Sequence, residues 1–212
     1  MAGPFLIGSR VQLRAFEETD ASILSEWIND PELRRAIIAR FPVSIKDEKE
    51  WIAAMSGKRP PADMAFGIEL KRGRRLIGSV GLHQISWVQR RAMTGIFLYP
   101  ASMRGAGYGT EAKDLLLDYA FGELGMRSLW ADAIAGNTAS IRALAKQGYR
   151  RNGIKRKAVL VRGVWTDLLY FDILREEWES LRGVGKRDRV ARPRRTPAAP
   201  AAKKPAARGR RT

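Results

Sequence analysis

The chain has 212 residues, no cysteine, one histidine and a formal net charge of +17. That length suits one domain with a real core, while the cysteine and histidine counts exclude disulfides, a thiolate nucleophile and the usual cysteine or histidine metal sites. No apolar run approaches the roughly 18 residues of a membrane span, and no charged region leads into an apolar one at the N-terminus, so a cytoplasmic protein that meets no membrane is expected.

Arg10 to Phe16 alternates apolar and polar residues and reads as a first strand. Thr19 or Asp20 can cap a helix carrying Ile23, Leu24 and Trp27 that ends near Asn29-Asp30-Pro31. A short second helix runs through Leu33, Ile37 and Ile38, and a third from Lys46 to Met55 carries Trp51 and Ile52. Lys58 to Asp63 is a loop. Met64 to Leu70 is a strand, residues 71–74 a turn, and Arg75 to Trp87 a second strand. After the basic connection Gln89-Arg90-Arg91, a strand runs from Met93 to Leu98. The short turns mark an antiparallel meander.

The stretch Tyr99 to Ala112 follows, with Gly105, Gly107 and Gly109 at alternate positions between that strand and a helix over residues 109–123. Glycines there let the backbone approach a ligand closely and turn successive N–H groups outward at the positive end of the helix, which suits an anion. A Walker A loop needs a lysine where Gly109-Thr110 has none, and the dinucleotide fingerprint fails on spacing. The helix closes at Gly125. Ser128 to Ile134 is the next strand, and Asn137 or Thr138 can cap a helix of Ile141, Leu144 and Ala145 that stops at Gly148. Tyr149 to Ile154 and Ala158 to Val161 extend the sheet. Gly163 turns the chain into a last strand, Trp165 to Ile173, before a short helix with Trp178.

Residues 182–212 hold 12 Lys/Arg and one acid, Asp188, for +11, whereas residues 1–181 hold 27 bases and 21 acids, for +6. This last stretch is rich in Pro and Ala and lacks aromatic residues, so it cannot bury enough apolar area to offset the entropy of ordering. The expected organisation is a folded domain over residues 1–181 and a disordered basic tail over residues 182–212.

The run Arg104, Gly105, Ala106, Gly107, Tyr108, Gly109 fills the pattern Arg/Gln-x-x-Gly-x-Gly/Ala and resembles the pyrophosphate loop of the GNAT acyl-CoA N-acyltransferases. Asn137-x-x-Ser140, Gly148-Tyr149, the hairpin with Trp165, Asp167 and Tyr170, Leu174-Arg175-x-x-Trp178 and Gly78-x-x-Gly81-Leu82 look like the branch containing the ribosomal-protein-alanine N-acetyltransferases. The resemblance covers roughly residues 8–180. It implies an α/β (α+β) fold whose mixed, mostly antiparallel sheet of about seven strands is flanked by helices and splayed between the strand ending at Leu98 and the strand beginning at Ser128. It further implies acetyl-CoA as co-substrate, with its thioester arm in that gap. The main chain of Ile96, Phe97 and Leu98 would pair with the pantetheine, and the amides of Gly105, Ala106, Gly107, Tyr108, Gly109 and Thr110 would cradle the pyrophosphate. Arg104 would add charge, and Asn137 would contact the coenzyme or only cap its helix. The first three helices would line the substrate side. The acceptor would be a small-molecule amine or a protein N-terminus, attacked in a ternary complex by a monomer or homodimer.

Attack by a neutral amine on a thioester needs a route for the amine proton, donors for the oxyanion and a proton for the thiolate. Leu98 lies where the family supplies a backbone oxyanion donor. Many relatives carry an acidic tyrosine seven residues after the motif asparagine, but that position is Leu144. The resemblance then leaves Ser140 as the acid, against a reading in which it merely caps a helix. Relatives often carry a basic glutamate where this chain has Met93, which leaves Asp132, Glu69, His83 and ordered water, with none assigned. The competing function is a ribosome- or nucleic-acid-associated binding protein on a degenerate scaffold, its tail binding phosphates nonspecifically.

Overall fold

The computed structural model describes residues 3–183 except residues 38, 40 and 58. Eight strands, β1 to β8 in chain order, are Leu6–Ile7, Val11–Arg14, Met64–Leu70, Leu76–Ser86, Arg91–Leu98, Ser128–Ile134, Arg150–Val161 and Val164–Leu174. They form one sheet in the order β1-β2-β3-β4-β5-β6-β8-β7. Neighbours are antiparallel except β5 and β6. That parallel pair needs a crossover, which α4 (Tyr108–Asp118) provides. The other helices are α1 (Ala21–Asn29), α2 (Pro31–Ala36), α3 (Ile45–Gly57), α5 (Thr138–Lys146) and α6 (Arg175–Arg182). The class and the mostly antiparallel sheet are as expected, with eight strands rather than about seven. The extra one, β1, is two residues long and too short to show a period.

Strand alternation separates two cores. Val11, Leu13, Val80, Leu82, Ala92, Leu129 and Ala131 face α4, whose Ala112 and Leu116, continued by Ala120 in the turn that follows it, recur every fourth residue and are all buried. Burying a leucine such as Leu116 stabilises by about 1.5–3 kcal/mol, so this stripe attaches α4 to the sheet. On the opposite face Leu24, Trp27, Leu33 and Ile52 of α1–α3 pack with Leu76, Phe97 and Tyr99.

The second face also carries a buried polar network. Glu69 is fully buried and accepts from Gln12 Nε2, from Arg14 Nε at 3.0 Å and from Arg74 Nε at 2.7 Å. Arg14 also holds Asp20 through both terminal nitrogens, at 2.7 and 2.9 Å. Asp20 is therefore committed to Arg14 and to the Glu17 amide, and neither it nor Thr19 caps α1. Instead Asp30 caps α2 by accepting from the Glu32 and Leu33 amides, with Pro31 in the first turn.

Other differences are local. The helix expected over residues 109–123 is α4 followed by a wider turn, Tyr119–Glu123, before Gly125. The two segments expected within residues 149–161 are one strand, β7, whose pairing with β8 shifts register between Arg151 and Gly153 and between Lys155 and Val159. Inside the second shift Lys157 takes φ 47° and donates its amide to Asp167 at 2.8 Å. Arg182, expected as the first residue of the tail, ends α6 and pairs with Asp118 at 3.0 Å and Asp114 at 3.5 Å. The tail from Val184 on, and Ile38 of the second helix, lie outside the described residues. Among the described residues no helix is long and apolar enough to cross a membrane.

Candidate active site

β5 pairs with β4 along its whole length, from Ser86↔Arg91 to Gly78↔Leu98, but with β6 only over Arg91–Met93 and Ser128–Trp130. Beyond Met93 the two parallel strands separate, which leaves one edge of β5 bare over a gap. Tyr99 N donates to Ile77 O at 2.9 Å, and a Cβ on Gly78 would collide with Phe97 O. The main chain of Phe97 and Tyr99 thus turns toward β4, and alternation turns that of Ile96 and Leu98 toward the gap. Of the expected trio, Ile96 and Leu98 turn their main-chain groups to the bare edge, while the Phe97 main chain bonds to β4 and its ring lies 6.4 Å edge-on from Trp27.

At the open end of the gap a turn over Ala101–Met103 leads into the glycine-rich loop. Gly105 has φ 81° and Gly107 φ 86°, values that only glycine adopts readily, and the second places α4 with its N-terminus at the loop. Among the described residues the amides of Gly105 to Thr110 donate to no backbone carbonyl outside a helix, so they remain available at the positive end of α4. Arg104 does not reach freely over the loop, because it pairs with Glu32 of α2 at 2.7 Å and lies 3.5 Å from Leu98 O.

The cation built into the loop is Arg10, which the sequence did not single out. It donates to Ala106 O at 2.8 Å and to Glu111 at 3.0 Å, and lies 5.0 Å over the Tyr108 ring. Glu111 also accepts from Ser9 Oγ and from the Arg10 and Val11 amides, which staples the β1–β2 turn to the first turn of α4. Burial alone would raise the Glu111 pKa, but these donors together draw it down to about 2. A depressed carboxylate contributes stability that is whole above its ordinary value of 4.5 and is lost as pH falls toward 2. Between pH 5 and 2 the urea midpoint of the wild type is expected to fall further than that of Glu111→Gln. Parallel curves would show that the staple adds nothing.

Asn137 Oδ1 accepts from the Ser140 amide at 3.1 Å, so Asn137, not Thr138, caps α5. Ser140 gives its N–H to that cap, and its half-buried hydroxyl has no partner among the described residues. Its hydroxyl therefore does not do the capping. Tyr149 is buried, with its hydroxyl 2.8 Å from Thr94 Oγ1, and burial holds the phenol well above its ordinary pKa.

For the base, Glu69 is removed: three donors hold it in the sheet, and breaking such a buried network costs about 3–5 kcal/mol. His83 pairs with Met93, and Met93 with Trp130, so His83, Met93, Gly95, Trp130 and Asp132 share the face that α1–α3 cover. Burial lowers the His83 pKa, opposed by Asp63, whose Oδ1 lies 3.5 Å from Nδ1. Burial raises the Asp132 pKa. His83 on β4 and Asp132 on β6 thus lie near the fork where β5 and β6 part.

The family model described as an acetyltransferase (GNAT) domain matches residues 10–150. YjcK of Bacillus subtilis (strain 168), named a probable N-acetyltransferase, is 41% identical over 115 residues, which span 54% of this chain and 63% of YjcK. YdaF of the same strain, named provisionally as a ribosomal N-acetyltransferase, is 30% identical over 178 residues, 82% of this chain and 96% of YdaF. Among solved structures, the spermidine N-acetyltransferase of Vibrio cholerae in complex with CoA and spermine superposes with a TM-score of 0.74 at 21% identity, over 81% of this chain and 99% of its own.

Proposed function

The chain belongs to the GNAT acetyltransferases, a family that takes its acetyl group from acetyl-CoA, and from that premise we propose that it transfers acetyl to a primary amine by direct attack in a ternary complex. The observation that carries this reading is the bare edge of β5, with the main chain of Ile96 and Leu98 turned into the gap, ending at a loop on the N-terminus of α4 whose amides have no partner among the described residues. In this reading the amides of Gly105 to Thr110 bind the pyrophosphate, with Arg10 rather than Arg104 as the nearest fixed charge. Asn137 orients the first turn of α5, and Ser140 donates to the departing sulfur. The acceptor enters from the α1–α3 face, where His83 or Asp132 takes its proton. Small amines, with polyamines among them, and protein N-termini are the acceptor classes, in a cytoplasmic setting. A degenerate binding scaffold is disfavoured, because the loop keeps its glycines and, among the described residues, donors that no acceptor occupies.

The proposal includes a two-part chain in which the basic tail adds phosphate affinity without entering the reaction. Free-thiol release from acetyl-CoA across an acceptor panel tests both points, run on the full chain and on one ended after Gly183, which keeps the Arg182 pairs to α4. Both forms are expected to turn over equally, with only the full chain retained on a polyanion resin in a salt-dependent way. No thiol release with any amine overturns the enzyme, and loss of release on truncation overturns the division.

A further inference from the structure

Lys113 is a buried ionisable group that the reading above leaves without a task. It is 1% exposed on α4, no carboxylate pairs with it among the described residues, and its ammonium lies 5.6 Å from the centre of the Tyr149 ring. The Tyr149 hydroxyl meets Thr94 Oγ1, which donates to Trp130 O at 3.2 Å. Trp130 is the last residue of β6 paired with β5, so this cluster marks the fork where the strands part.

The direction of α4 takes Lys113 to the same place. Gly109, one turn earlier on the same helix face, lies against the Ile96 and Leu98 side chains. Four helical residues advance about 6 Å and two strand residues about 6.6 Å, so Lys113 stands level with Thr94 to Ile96. Its side chain also leans toward the helix N-terminus. A thioester arm that starts at the loop and runs along the bare edge past Leu98 and Ile96 would end level with this ammonium.

We propose that Lys113 is the cation that receives the departing coenzyme thiolate, an inference that rests on the acyl-transfer reading. The acceptor nitrogen forms the C–N bond, the C–S bond breaks with its electron pair on sulfur, and the ammonium passes a proton to that sulfur. The proton released by the acceptor passes through His83 or Asp132 to solvent, and water that enters the gap as the products leave recharges the lysine, so the reaction yields amide and free thiol with no net proton change. A serine hydroxyl can donate a hydrogen bond to sulfur but is too weak an acid to give up its proton, so Ser140 and Lys113 have different tasks. An unpaired buried ammonium is costly, and a site where negative charge develops is where that cost is offset. Burial lowers the Lys113 pKa to about 7, suited to proton transfer near neutrality. The titratable groups facing it are the Tyr149 phenol, kept neutral by burial, and His83 across the sheet, whose pKa burial lowers.

The test uses coenzyme A with the full-length wild type and Lys113→Met, which fills similar volume without charge. Affinity is measured by calorimetry, and ionisation of the bound thiol by its ultraviolet thiolate absorbance across pH. The bound thiol is expected to ionise at least ~10-fold more readily in the wild type than in Lys113→Met, with affinities within about twofold and kcat for acetyl transfer ~10²-fold lower in the variant. Equal thiol titrations in two proteins that both bind coenzyme A overturn the assignment of Lys113 alone. No binding of coenzyme A to the wild type overturns the acyl-transfer reading and this inference with it.

Discussion

Gly107→Val is expected to abolish most coenzyme affinity, with a loss of ~10²-fold or more in acetyl-CoA binding by calorimetry. Two physical effects add. The position has φ 86° and ψ 0°, a conformation that a β-branched side chain resists at a cost of about 1–3 kcal/mol. A Cβ there would also stand 3.0 Å from Arg10 Nη2, and the two further methyls of valine press on the guanidinium that donates to Ala106 O. Displacing it unlocks the loop from Glu111 and tilts the amides that the pyrophosphate needs, and each lost bond to a charged group is worth about 1.5–3 kcal/mol. Gly105→Ala separates the two effects, because its φ of 81° is equally strained for alanine but a Cβ there meets open space. It should weaken binding less than the valine does. A folded Gly107→Val protein with unchanged affinity would show that the anion sits elsewhere.

The parts of this site that were legible in the sequence are those where one residue type alone can satisfy the backbone. Gly105 and Gly107 are readable because left-handed φ values exclude most alternatives, and Gly125 for the same reason. The limits of β3 and β6 are as expected because turn residues bracket their apolar runs. Arg10 was hidden because its partners, Ala106 and Glu111, lie about a hundred positions along the chain, so no local period marks it. The orientation of Phe97 was hidden for a different reason. Sequence alternation gives which side chains share a face, but the direction of each carbonyl depends on pairing with β4, and Gly78 beside Leu98 settles that. Glu69 looked available as a base because its companions Gln12, Arg14 and Arg74 come from a different strand and a turn. Lys113 reads as an ordinary helix lysine between Ala112 and Asp114, and only the packing of α4 against Tyr149 buries it.

Ser140→Ala is expected to lower the single-turnover rate of acetyl transfer by ~10²–10³-fold while acetyl-CoA affinity stays within about twofold of the wild type, since the bond matters only as charge develops on sulfur. The geometry makes the prediction sharp. Asn137 Oδ1, not the serine, caps α5, and the Ser140 contribution to that cap is a backbone N–H that alanine retains. The hydroxyl has no partner among the described residues, so its removal breaks no internal hydrogen bond and the melting temperature should hold. Rate and stability therefore move independently. The contrast is Asn137→Ala, which removes the cap itself and should cost about 1 kcal/mol of stability. Tyr149 is a poor substitute donor, because its hydroxyl is tied to Thr94 and its phenol is held neutral by burial. A Ser140→Ala protein with the wild-type single-turnover rate would show that the sulfur departs without a hydrogen bond from the serine, leaving the cation on α4 and water to serve it.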